Sequence, residues 1–215
     1  PEPQSETQET APEPEPEPAT STSERTLFFR EYAEGSSYNK YLEIYNPTGA
    51  EVDLTEYAFP NVTGAPTNPG EYEYWHDFPD GAKIAAGDVY VIADPNADQS
   101  ILDKTDFVYS LYFNGDDSYK LVKGTETDYT VIDYIGDWQG DPGNGWEVAG
   151  TANATKDHTL VRKPHILKGN ADWDSSRGTN SEDSEWIVYA KDTWTYLGSH
   201  EISEPEQATE PEPEP

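Results

Sequence analysis

All 27 aromatic residues of this chain lie between Phe28 and Tyr196, and the two ends hold none. Residues 1–24 carry seven Glu and six Pro; residues 203–215 carry five Glu and four Pro; neither end has a basic residue. Segments this poor in apolar area cannot offset the entropy of ordering their own backbone. Folding must therefore come from the middle. Where Pro and Glu alternate, at Pro12–Pro18 and Glu210–Pro215, φ is restricted at every second residue and like charges repel. Extended polyproline II spacers, at about 3.1 Å per residue, are expected at both ends. The expected plan is an acidic linker (1–24), one folded domain (25–202) and a second acidic linker (203–215). The opening Pro1 reads as the edge of a piece excised from a longer polypeptide.

Charge and composition exclude several function classes. Asp and Glu number 43 against 13 Lys and Arg, a formal net charge of −30. The middle alone keeps 31 acids against those 13 bases, or −18. Autonomous nucleic-acid binding needs a basic footprint and is not expected. With no Cys there is no disulfide framework, thiolate metal site or Cys nucleophile. With no Met the core must rest on Ile, Leu, Val and the aromatics. No stretch approaches the roughly 18 apolar residues of a spanning helix, so membrane insertion is not expected.

The middle reads as all-β. Tyr41-Leu42-Glu43-Ile44-Tyr45 alternates, with Leu42 and Ile44 on one face. Val89–Ala93 is a nearly continuous apolar run after a turn at Ala86-Gly87-Asp88. Asn114-Gly115-Asp116-Asp117 has hairpin-turn chemistry between the runs Phe107–Phe113 and Tyr119–Lys123. Further strands are expected near Leu27–Tyr32, Val52–Leu54, Thr130–Ile135, Thr159–Arg162 and Trp186–Tyr189. A short helix is expected at Asp98–Lys104, capped by Asp98. Frequent turns and few amphipathic helical windows predict an antiparallel β-sandwich or barrel.

No Gly-x-Ser-x-Gly elbow, phosphate-cradling loop or His-Glu-x-x-His pair occurs, so no hydrolase chemistry is expected. Three features offer binding chemistry. Oxygen-rich loops at Asp94/Asn96/Asp98, at Asn114/Asp116/Asp117 and at Asp137/Asp141/Asn144/Glu147 carry ligands suited to calcium, with Asp116 and Asp117 the leading pair and Asn114 beside them. The bland alternative is turn chemistry on a solvated surface. In Glu71–Phe78, Tyr74 and Trp75 offer rings for a sugar or a protein, or else a local cover over the core. Trp138 and Trp146 bracket a Gly-rich loop, either facing a ligand or pinning a long turn. Arg162 and Lys163 are read as partners in local ion pairs.

The segment Phe29–Gly49 (FREYAEGSSYNKYLEIYNPTG), followed in order by Val52–Leu54, Ala86–Ile92, Asn114–Asp117, Val131–Asp133, His158–Lys163 and Leu197–His200, resembles bacterial lamin tail domains. The resemblance implies an immunoglobulin-like β-sandwich with no agreed catalytic residues. It also implies an accessory module of a secreted or cell-surface protein, set beside a nuclease, a phosphatase-like domain or an anchor. Residues 60–80 look like an insertion relative to shorter members. The expected function is a non-catalytic extracellular spacer, adhesion or interaction module. Its partners would be neighbouring domains of the same polypeptide and a surface glycan or protein. The alternatives are a calcium-assisted carbohydrate-binding module and an accessory domain of a secreted nuclease.

Overall fold

A computed structural model describes residues 24–203, so the expected Pro-Glu spacers lie almost wholly outside the described residues. Numbered along the chain, the strands are β1 (Phe28–Glu34), β2 (Lys40–Tyr45), β3 (Val52–Asp53), β4 (Tyr57–Ala58), β5 (Asn61–Val62), β6 (Lys83–Ile84), β7 (Val89–Ala93), β8 (Phe107–Val108), β9 (Ser118–Thr125), β10 (Asp128–Ile135), β11 (His158–Arg162) and β12 (Trp186–Ala190). Two short helices, α1 (Gln99–Leu102) and α2 (Trp173–Arg177), interrupt them. One sheet runs β12-β11-β1-β2-β7-β8. A second runs β10-β9-β4, with β5 also on β9, and β3 pairs with β6.

The alternation in β2 places its residues as the sequence implies. Leu42 and Ile44 enter the main core between the sheets with Phe29, Tyr32, Ile92 and Leu160, where they meet Tyr119, Leu121 and Ile135 of the second sheet. Tyr41 faces the other way, into a smaller cluster with Val91, Ala93, Ile101 and Leu197. The outer face of the six-stranded sheet is thus covered by α1 and by the C-terminal segment around Leu197. That is why β7 reads as continuously apolar: both of its faces are buried. Asp98 caps α1 by accepting from the Ser100 N–H (2.9 Å), as its position predicts.

One expectation needs correction. Asn114–Asp117 does turn the chain, with Gly115 at φ +112° and no room for a Cβ against Lys156. Yet it does not close a hairpin. The run before it contributes β8 beside β7 and the run after it becomes β9 in the other sheet, so the turn crosses between layers. The hairpin lies one strand later, between β9 and β10. The sheets are otherwise antiparallel, as expected of the sandwich, and the one departure among the described residues is that β7 and β8 are parallel. The chain leaves β7 through α1 and returns along it, the crossover that a parallel pair requires.

A buried carboxylate joins the layers. Asp133 sits at a bulge in β10 and Phe29 at a bulge in β1. Asp133 accepts the Phe29 N–H (2.8 Å), the Asn170 N–H (2.9 Å) and the Arg162 guanidinium of β11 (2.6 Å). Arg162 also pairs with Glu185 and lies 4.1 Å over the Trp186 ring. Asp133 and Arg162 are both fully buried. Removing one partner of such a pair strands the other without solvent. Asp133→Ala should therefore cost about 3–5 kcal/mol in urea unfolding. Lys83→Ala, which breaks the exposed pair to Glu51, should cost under about 1 kcal/mol. Equal losses in the two variants would refute this ranking.

Candidate functional site

A cleft of about 840 Å³ opens where the edge of the six-stranded sheet meets the segment 61–76. One wall is the chain from β8 onward. Residues 106–115 alternate between outward and inward positions, with Val108, Ser110 and Tyr112 exposed. The opposite wall carries Asn61, Tyr74 and His76. Tyr74 is held there because its segment adds to β5: the Asn61 N–H donates to the Tyr74 carbonyl (3.0 Å), and the Tyr74 N–H to the Asn61 carbonyl (3.1 Å). Across the floor, His76 Nε2 meets Asn61 Oδ1 (2.8 Å) and His76 Nδ1 meets the Tyr109 hydroxyl (2.8 Å). Both imidazole nitrogens are engaged, and burial holds the ring's pKa below its ordinary value. Tyr112 is 78 % exposed and Tyr74 54 %, so two large rings stand open at the mouth.

Asp117 closes one end of the cleft. Burial, with Asp116 nearby, pushes its carboxyl up to about 6. Its Oδ2 accepts the Asn114 backbone N–H (2.7 Å). With its nitrogen turned toward the pair, the Asn114 side-chain amide donates to Asp117 Oδ2 (3.1 Å) and to Asp116. Turn hydrogen bonds therefore account for this corner's geometry. Among the described residues no three His, Cys, Asp or Glu side chains gather as a metal-holding group.

The four expected ligand-facing rings are placed very differently. Tyr74 lines the cleft. Trp75 points away from it, packs between Tyr72 and Tyr129 (5.4 Å each) and donates to Asp77 Oδ1 (2.7 Å). Trp138 is 1 % exposed, with the Lys120 ammonium 3.5 Å above its ring. Trp146 is 8 % exposed in the main core, edge-on to Trp173. The Gly-rich loop between Trp138 and Trp146 is pinned by two buried indoles and does not display them. Tyr109, Tyr112, His76 and Asn61 escaped the sequence reading. Phe107–Phe113, a run with no charge, Pro or Gly, is the signal that could have found Tyr109 and Tyr112.

Convergent titratable groups do occur, away from the cleft. Glu31 and Glu43 share Arg30 on the outer face of the large sheet. Arg30 also donates to His200 Nδ1 (3.2 Å) and to the Tyr196 carbonyl (2.7 Å), and the Gly198 N–H donates to Glu43 (2.5 Å). Burial pushes Glu31 up to about 7 and Glu43 up to about 8, against the opposing pull of Arg30. Burial and Arg30 hold His200 down to about 4. The C-terminal segment covers this cluster, which lines none of the clefts at 61–119, 144–158 or 165–185. It serves to fasten that segment.

Residues 20–136 match the family model described as Lamin Tail Domain, just over half of the 215 residues. Every residue lining the cleft falls within the matched stretch. No curated protein and no solved structure matches the chain.

The shared-arginine cluster sets a pH dependence. Glu31 and Glu43 hold their protons to higher pH when folded than at their ordinary value of 4.5. The native state therefore binds more protons up to about pH 8, and stability falls as pH rises through that window. His200 acts in the opposite sense only between about 4 and 6.5. Lys120, drawn down to about 8 by burial, opposes only above that pH. The urea midpoint should drop from about pH 6.5 to about pH 8, and Glu43→Gln should flatten the slope. An unchanged slope in that variant would count against the cluster.

Proposed function

The chain belongs to the lamin tail domain family, and on that premise we propose that it is a non-catalytic interaction module, carried in a larger secreted or cell-surface protein, that binds its partner through the aromatic cleft. The cleft itself carries the reading. Its volume falls within the range of ligand sites, and its wall is aromatic with few convergent polar groups. Leaving Tyr74 and Tyr112 open forgoes burial that the fold achieves for Tyr32, Tyr41 and Tyr45, all at most 1 % exposed. Two open rings lining one cleft support its use as an interaction surface. The non-catalytic part rests on the titratable groups in the cleft. His76 has no free nitrogen, and Asp117 has no partner base. A second reading, a sugar ligand, draws on the open faces of Tyr74 and Tyr112, with calcium at Asn114, Asp116 and Asp117 as an assisting ion.

Glycan and peptide arrays probed with the full chain, with and without chelator, test the proposal. At least one ligand class should bind. The double variant Tyr74→Ala/Tyr112→Ala should lose that binding with an unchanged melting temperature, because both rings are exposed. Binding untouched in the double variant would move the site elsewhere. A hydrolytic activity abolished by a point mutation would overturn the non-catalytic reading.

A further inference from the structure

We infer that the cleft receives an extended polypeptide segment bearing Lys or Arg, which pairs its main chain with residues 108–112, the run that continues from the edge strand β8. The inference rests on the cleft being the binding surface and names the partner. β8 ends the sheet order, with β7 as its one neighbour. Past β8 the chain stays tied to the end of β7: the Tyr109 N–H donates to the Ala93 carbonyl (2.9 Å) and the Leu111 N–H to the Asp94 carboxylate (3.2 Å). Val108, Ser110 and Tyr112 line the cleft together with Tyr109 and Phe113. Among the described residues, the backbone groups of Ser110 and Tyr112 make no hydrogen bond. Such an edge can template another strand, and proteins blunt it with a very short strand, a charge, a Pro or a bulge; β8 itself is only two residues, and the unpaired groups lie on the run past it. Phe107-Val-Tyr-Ser-Leu-Tyr-Phe113 has no charge and no Pro. In strand addition the main chain supplies affinity and the pockets supply specificity.

Charge and shape select the occupant. Asp117 is buried at the cleft's end and forms no ion pair among the described residues, since the nearby Lys40 is taken by Glu34. The cleft wall has no Lys or Arg. A cationic side chain would neutralise Asp117 and pack against the Tyr74 and Tyr112 rings. A second copy of this chain is a poor occupant. Each copy carries −30, so like charge opposes the approach of a second copy. The chain's own Pro-Glu ends bring acid to Asp117, and their Pro residues carry no N–H.

The test uses the full chain and three acetylated peptides, measured by calorimetry. One alternates Thr and Lys. The second replaces Lys by Glu. The third is the Lys peptide N-methylated at alternate residues, which removes ladder donors. The Lys peptide should bind, and both other peptides should be weaker by at least about tenfold. Its binding should weaken several-fold in Asp117→Asn and be lost in Ser110→Pro. Should Ser110→Pro melt early, the N-methylated peptide still reports strand addition without touching the fold. Equal binding of the N-methylated peptide, equal binding of the Glu peptide, or dimerisation through this edge would each overturn the inference. So would a glycan that binds through Tyr74 and Tyr112 while the Lys peptide does not, although that result would leave the interaction-module reading standing.

Discussion

The carboxylate of Asp133 is the interaction on which the architecture turns. Two twisted sheets held only by apolar contact can slide, because dispersion and burial are nearly directionless. Asp133 fixes the slide. It reaches out of β10 and takes an N–H from β1, a guanidinium from β11 and an N–H from the loop at Asn170. Burial alone would raise its pKa steeply, and three donors with one positive charge oppose that rise. A buried ion pair is weak evidence for net stability, since desolvation consumes much of the Coulomb gain. Its value here is registry. Both bulges, in β1 and β10, sit where this carboxylate and its acceptor-seeking N–H must meet.

The same scarcity of cations shapes the rest of the molecule. Of 13 Lys and Arg, four are buried: Arg30, Lys40, Lys120 and Arg162. Arg162 and Lys120 lie over indole rings, and Arg30 serves two glutamates at once. The surface is consequently poorer in positive charge than the composition suggests. An acidic exterior favours rapid encounter with cationic partners and repels copies of itself. The uncharged edge at 107–113 therefore sits in a field that guards it against self-pairing, a protection that does not depend on a local blocking residue.

Much of the fold was legible because strand patterning is local. Leu42 and Ile44 declare the core face of β2 by alternation, and the all-apolar β7 declares two buried faces. The cap at Asp98 was readable from residue type alone. Asn114–Asp117 misled because turn chemistry specifies that a chain reverses, not which strand it then pairs with. That choice belongs to tertiary packing, here the docking of β8 beside β7. The site was less legible for a related reason. Trp138 and Trp146 were conspicuous by type and spacing, yet large rings are also what a Met-free core needs. Tyr109 and Tyr112 were inconspicuous one at a time. Their significance comes from meeting His76 and Asn61 across a gap of more than 30 residues, which no local pattern encodes.

The first and last described residues lie at one corner of the body. The Thr26 hydroxyl accepts the Gly169 N–H (3.0 Å), the Ser203 N–H donates to the Pro164 carbonyl (3.0 Å), and the His200 ring rests 6.0 Å from that of Phe28. A body entered and left at one corner would add little to the contour of any polypeptide joined to both its ends, and tension along that polypeptide would bypass its strands.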